Sequence, residues 1–206
     1  MKQSKAGTGK HESQPGFRVI LSALYLLSML IRSYFIRKGS ASDQTISKTR
    51  EERFTMPLIK SIGVLGTVAA LAHVLAPQRM KWAILPSPVW SRWVGVGLGS
   101  SSLPLFLWIH HELGKNWSLA LVTKEEHTLV SSGPYRWVRH PMYTVIFLQS
   151  LAYFLVSANW VIGIPGLGIS MLCVARVDEE EALMVEEFGD EYRAYMERTG
   201  RFLPRP

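Results

Sequence analysis

Cysteine is all but missing from these 206 residues: Cys173 stands alone, inside an apolar run. A single thiol excludes an internal disulfide and any cysteine-rich zinc site. Six histidines are scattered along the chain, whereas a membrane di-iron centre needs several histidine pairs at helical spacing. The trio His110-His111-Glu112 is therefore expected to be a polar helix end facing water, and no metal is expected. No Ser-His-Asp or paired-carboxylate constellation is legible. Internal repeats and long low-complexity segments are missing too. Charge is sparse, at 19% of residues, and one-sided, with a net +7 and a pI of 9.7. In a chain of long apolar runs, basic loops facing an anionic membrane surface explain that excess more simply than nucleic acid does.

What the chain has is bunched hydrophobicity. The mean hydropathy of +0.11 decides little, but the apolar residues fall into runs near the ~20 residues that a bilayer crossing requires. Residues 1–15 form a polar tail, expected to be flexible, and 16–206 read as one integral membrane domain. The first run is Phe17 to Ile36, with Arg32 near its end able to snorkel to the interface. No small-residue cleavage site follows it, so an uncleaved anchor is expected. A basic connector over 37–56 leads to a second run, Pro57 to Ala76, whose Gly63 and Gly66 permit close helix contact. A Pro-bounded turn over 77–88 precedes a third run, Val89 to Ile109. It carries Trp90, Trp93 and Trp108 at its ends like aromatic belts, and its GVGLGSSS segment suits close packing or a bulky ligand. His73 reads as a packing histidine. Met142 to Ser157 and Trp160 to Val174 are short runs joined at Ala158-Asn159, which predicts a tight helical hairpin. In the charged segment 176–206, Ala182, Leu183, Val185, Phe188, Tyr192 and Tyr195 recur near helical spacing, predicting an amphipathic helix. The expected fold is all-α: about five transmembrane helices followed by a cytosolic amphipathic helix.

The stretch 127–143, HTLVSSGPYRWVRHPMY, organises the rest. Gly133-Pro134 signals a turn, and Pro141 suits the first turn of a new helix, where its missing N–H costs nothing. Tyr135, Arg136, Arg139, His140 and Tyr143 thus gather where a helix enters the membrane. Two readings stand at this point: a ligand site, or a set of interfacial aromatic and basic anchors. The order His127, Leu129, Val130, Gly133, Pro134, Tyr135, Arg139, His140, Pro141, Tyr143 resembles the signature of the isoprenylcysteine carboxyl methyltransferase family. Members of that family are membrane enzymes that use S-adenosylmethionine. The Gly-Lys-Asn-Trp-Ser lead-in at 114–118 resembles the family as well, and so does the closing E-E…F-G-x-E-Y…Y pattern of the tail.

The resemblance implies a cofactor cradle of His127, Thr128, Leu129, Val130, Tyr135, His140, Pro141, Met142 and Tyr143. A tail glutamate closes it, and Glu180 fits best because it lies four residues after Arg176. Arg176 matches the arginine that handles the substrate carboxylate. The implied acceptor is a C-terminal prenylcysteine or a similar lipophilic acid, met among membrane lipids, with neither nucleic acid nor metal as a partner. After the signature the chain has TVIFLQS in place of the eukaryotic Gly-Trp-rich sequence, which leaves other acceptors open. A phospholipid N-methyltransferase, a sterol-reductase-like oxidoreductase and a non-enzymatic scaffold are the alternatives. Arg176 disfavours an amine acceptor, and the intact R-H-P-x-Y run disfavours the reductase. With five spans and a cytosolic C-terminus, 16 of the 23 lysines and arginines lie inside, so the signature loop is expected to face the cytosol. The membrane would be the endoplasmic reticulum in a eukaryote and the inner membrane in a bacterium.

Overall fold

The computed structural model describes residues 15–39, 52–114 and 128–205. Seven α-helices occupy them: α1 Pro15–Gly39, α2 Glu52–Leu75, α3 Val89–Leu113, α4 Pro141–Ser157, α5 Trp160–Ala175, α6 Val177–Phe188 and α7 Asp190–Arg198. Short 3-10 turns, Pro77–Ala83 and Gly133–Arg136, link α2 to α3 and lead into α4. Among the described residues there is no strand, only isolated bridges.

Among the described residues, three helical stretches are long and apolar enough to cross a membrane: Pro15–Lys38, Phe54–Leu75 and Trp160–Phe188. The other two apolar runs differ from them. At 17 residues α4 spans about 25 Å, short of the ~30 Å hydrocarbon core. α3 has 25 residues, but its glycines, serines and tryptophans dilute its apolarity. Val64, Leu65, Val68, Leu71 and Leu75 all lie exposed on α2. An apolar face of that size suits lipid and not water.

Two expectations about element boundaries are corrected. The fifth run is not a short span: Arg176 keeps helical backbone (φ −87°, ψ −12°), so α5 runs on into α6. The tail is not one amphipathic helix, because Gly189 at φ 54° breaks it into α6 and α7. A residue with a Cβ adopts that conformation only at a cost, which is why the helix stops at the glycine. α2 also starts at Glu52, ahead of Pro57, which sits inside it.

The hairpin α4–α5 is the spine. Ala158 takes the left-handed conformation (φ 49°), and the Asn159 side chain then caps α5 by accepting from the Val161 N–H. Arg92 of α3 closes the other side of the turn, donating to the Val156 carbonyl from Nε (3.0 Å) and Nη2 (2.8 Å). His73 is buried against Asn159, with 3.4 Å between Nδ1 and Nδ2. α3 lies along α4 through a stripe of inward residues: Arg92, Gly95, Gly99, Ser102, Phe106 and Ile109. Their spacing of three and four residues is one helix face. A Cβ on Gly95 would sit 2.7 Å from Leu155 Cβ and 2.9 Å from Val156 N, while one on Gly97 would meet nothing within 4 Å. Gly95→Val is therefore expected to cost about 1–3 kcal/mol by overpacking and to lower the detergent melting midpoint by several degrees. Gly97→Val should leave it unchanged. Equal midpoints for the two variants would show that α3 and α4 do not meet at Gly95.

Candidate functional site

The first turn of α4 carries the site. Pro141 starts the helix, and the preceding segment is pinned by backbone pairing to the chain's end. Arg139 N–H donates to the Gly200 carbonyl (2.8 Å), His140 N–H to the Arg201 carbonyl (2.9 Å), and Gly200 N–H to the Trp137 carbonyl (3.1 Å). Thr144 adds a hydroxyl bond to the Phe202 carbonyl (2.9 Å). From the other end of the chain, Tyr195 donates to the Tyr135 carbonyl at 2.6 Å. Burial pushes the Tyr195 phenol up to about 12 and raises Tyr135 further, so both phenols stay neutral at physiological pH.

This pairing separates the basic and aromatic residues of the loop. Arg136 stacks over Trp137 (4.0 Å to the ring centroid), and Trp137 meets Trp108 (6.0 Å), all three exposed. These three have the character of interfacial anchors. Tyr135, Arg139, His140 and Tyr143 turn inward instead. The His140 and Tyr143 rings stack with centroids 5.6 Å apart and 7° between planes.

Inward of the loop lies a chamber of about 930 Å³, between α1, α2, α4, α5 and α6. Thr128, Leu129, Val130, Tyr135, His140, Met142, Tyr143, Arg176 and Glu180 all line it. Pro141 is buried but is not on the chamber wall. It acts through the helix start that it allows. His127, and the lead-in residues Lys115, Asn116 and Trp117, lie outside the described residues.

At one end of the chamber the Tyr143 hydroxyl donates to Glu180 Oε1. His140 Nδ1 is 3.6 Å from Glu180 Oε2, and Arg176 Nη2 is 3.7 Å from Glu180 Oε1. Arg176 also approaches Met56 Sδ at 4.0 Å. Its separation from Glu180 exceeds the usual 2.7–2.9 Å of a charge-assisted hydrogen bond. The guanidinium is thus held near the carboxylate without being consumed by it.

Glu181 is a functional residue that sequence reasoning missed. It accepts from Arg139 Nε (2.9 Å), from Arg201 Nε (3.0 Å) and Nη2 (2.7 Å), and lies 3.2 Å from His140 Nε2. Arg201 also reaches Asp178 Oδ1 at 2.7 Å. Arg139 spends a further donor on the Met196 carbonyl at 3.0 Å and on Thr199. So Arg139 fastens the tail behind the chamber, and Glu181 ties tail and loop to His140. The available signal was helical spacing: Val177, Glu180, Glu181 and Met184 share a face of α6. Ala182, expected on the inner face, is exposed.

The His110-His111-Glu112 trio separates. His110 is buried, its Nδ1 2.9 Å from the Phe106 carbonyl and its ring against Phe35 and Phe106. That corrects the expectation of a water-facing residue. Glu112 accepts from Ser132 Oγ (2.6 Å) and Trp108 Nε1 (3.0 Å), holding the signature turn against α3. Among the described residues, no group of three His, Cys, Asp or Glu is placed to hold a metal.

Fold and site together define an all-helical protein with membrane-crossing helices and a polar-ended chamber among them. Residues 98–186 match the model of the isoprenylcysteine carboxyl methyltransferase (ICMT) family. Over those residues the chain is similar to that family. It is 36% identical over 81 residues to human protein-S-isoprenylcysteine O-methyltransferase, covering 39% of this chain and 28% of that one. It is 30% identical over 96 residues to the protein of the same name from Schizosaccharomyces pombe, covering 45% of this chain and 41% of that one. The chain thus spans well under half the length of these relatives. A solved structure of the eukaryotic intramembrane Ras methyltransferase ICMT superposes with a TM-score of 0.51 at 21% identity, covering 77% of this chain and 54% of that one. That likeness is one of fold.

Proposed function

We propose that the chain is an S-adenosylmethionine-dependent methyltransferase acting on the carboxylate of a lipophilic acceptor, of which a C-terminal prenylcysteine is one form. The reading is carried by one observation: the signature side chains Tyr135, His140 and Tyr143 line one chamber together with Glu180 and Arg176. The chamber's volume of 930 Å³ lies toward the upper end of the ~300–1,000 Å³ typical of small-molecule sites. It therefore has room for a nucleoside-bearing cofactor and part of an acceptor.

The donor set fits the cofactor. The buried Glu180 carboxylate is an acceptor for its hydroxyl or amino groups, and the His140–Tyr143 stack offers flat surface and a ring nitrogen beside it. Leu129, Val130 and Met142 supply apolar wall. When bound, S-adenosylmethionine supplies an electrophilic methyl group. Arg176 holds the acceptor carboxylate by charge-assisted hydrogen bonds. That carboxylate is already ionised near neutral pH, so no general base is needed. The protein's work is to orient the two reactants and exclude water, which supplies several kcal/mol through positioning. The charged wall residues also favour an acid over an amine: apart from Arg139, which is paired with Glu181, Arg32, Lys60 and Arg176 line the chamber, against Glu180 as the carboxylate. The charge asymmetry of the loops supports a cytosol-facing site.

Detergent-purified protein, supplied with methyl-labelled S-adenosylmethionine, should transfer label to a prenylcysteine or another lipophilic acid. The product should be an ester that releases volatile methanol in alkali. Label appearing in phosphatidylethanolamine as an alkali-stable N-methyl group would overturn the carboxylate reading. Absence of cofactor binding by calorimetry would overturn the enzyme reading altogether.

A further inference from the structure

Most polar groups on the chamber wall are satisfied within the protein. Tyr25 and Thr67 share a hydrogen bond of 2.8 Å, and Tyr153 donates to Ser28 Oγ at 2.7 Å. The Gln149 amide nitrogen lacks a partner but has no accessible surface, so no ligand meets it. Two of the cations are engaged as well: Arg139 holds Glu181 at 2.9 Å, and Arg176 stands 3.7 Å from Glu180. Arg32 of α1 is different. It lines the chamber and is exposed, and among the described residues its guanidinium has no hydrogen bond or ion pair.

The chamber-lining residues of α1 are Tyr25, Ser28, Met29 and Arg32, whose spacing of three and four is one helix face. Arg32 stands at the end of that face nearer the signature turn, because its neighbour Ile31 packs against Phe106, Ile109, Tyr135 and Val145. On another wall, Cys173 lies one turn before Arg176 on α5 and feels the charge of both Arg176 and Arg32. Two arginines from separate helices therefore bracket one section of the chamber, and only Arg176 has a carboxylate beside it.

An arginine on a membrane-crossing helix is costly unless it meets a polar cavity or a partner. The protein gives Arg32 the cavity and leaves the partner to the ligand. Arg176 spends part of its charge on Glu180, whereas Arg32 keeps all of its own. Lys60 also faces the chamber, but its ammonium is a point charge on a flexible stem, while the planar guanidinium fork matches a carboxylate. We infer that Arg32 is a second acceptor-binding residue, which with Arg176 clamps the carboxylate of a lipophilic acid, a prenylcysteine included. This rests on the carboxylate reading above and adds to it the residue that tells acid from ester. The methyl ester product is neutral, so the clamp that holds the acid releases the product.

The test uses N-acetyl-S-farnesylcysteine and its methyl ester, with palmitic acid as a second acid, on wild type, Arg32→Ala and Arg32→Lys. Binding is read by calorimetry in S-adenosylhomocysteine, so that nothing turns over, and methyl transfer is read separately. Wild type should bind the farnesylcysteine acid more tightly than its ester by roughly tenfold or more, as for a charge-assisted contact. In Arg32→Ala that preference should shrink about tenfold and the acceptor KM should rise, while cofactor affinity and the melting midpoint hold. Arg32→Lys should restore part of the preference. An unchanged preference in Arg32→Ala, with wild type methylating the acid, would leave the carboxylate reading standing and make Arg32 an interfacial anchor. Loss of cofactor affinity with the preference intact would assign Arg32 to the cofactor and overturn the inference. So would a lowered midpoint with both affinities lost and no recovery in Arg32→Lys, which would make Arg32 structural. If wild type neither binds nor methylates either acid, both this inference and the carboxylate reading fall.

Discussion

Replacing Glu181 with alanine is expected to cost about 3–5 kcal/mol, because it leaves buried positive charge without its partner. Glu181 is 3% exposed and receives both Arg139 and Arg201. The Arg139 side chain is itself 8% exposed. Without the carboxylate, its guanidinium is left to backbone carbonyls of the α7 end. Glu181 and the Tyr195 hydroxyl bond to the Tyr135 carbonyl together join tail and loop. At ~2–4 °C per kcal/mol for a chain of this size, the melting midpoint in detergent should fall by roughly 10 °C. Cofactor affinity should fall with it, since His140 loses its Nε2 neighbour. Glu186→Ala, at an exposed position on the same helix, should shift the midpoint by no more than a degree or two. If Glu181→Ala melts like wild type, the ion pairs do not hold the tail, and the backbone pairing at 137–140 does so together with the Tyr195 and Thr144 hydroxyls.

The second large effect separates Arg176 from Glu180. Arg176 is 5% exposed, faces the chamber and stands 3.7 Å from Glu180. A buried arginine is costly unless it meets a polar cavity or a partner, and here it has both a carboxylate and the chamber. If it positions the acceptor, Arg176→Ala should lose turnover by about a hundredfold or more while keeping cofactor affinity within a few-fold. Glu180→Ala should do the reverse in the binding assay, weakening the cofactor by roughly 10–100-fold, as expected for a charge-assisted contact of about 1.5–3 kcal/mol. Tyr143→Phe should fall between, since it removes the hydroxyl that donates to Glu180 but leaves the carboxylate. Calorimetry for cofactor binding and a separate methyl-transfer rate distinguish the three variants. Identical losses of Arg176→Ala and Glu180→Ala in both assays would mean a structural ion pair, and the division of roles would be wrong.

Local chemistry made much of this protein readable from its sequence. Apolar run length marked the helices, because a bilayer sets that length. Pro134, Pro141 and Asn159 marked turns and helix starts, because ring closure and side-chain capping act within a few residues. Tyr135, His140, Tyr143, Arg176 and Glu180 were grouped through the family resemblance of the signature and the tail, since residue chemistry alone left interfacial anchors as an equal reading, and all five line the chamber. The tertiary structure decided what those residues meet. Four acidic residues follow one another from Asp178 to Glu181, and nothing local says which faces the chamber and which clamps the tail. That depends on α6 continuing α5 in phase through Arg176, which sets the rotation of the whole helix. Arg139 read as part of a ligand site, yet its partners are Glu181, Met196 and Thr199, 42 to 60 residues away. Gln149 is one polar residue in an apolar run. Only the packing of α1, α2 and α5 around it shows that its neighbours are satisfied and it is not. The sequence settles which groups are present and their order along each helix. Partners brought together across the chain, and the burial that makes an unpaired group costly, exist only once the helices pack.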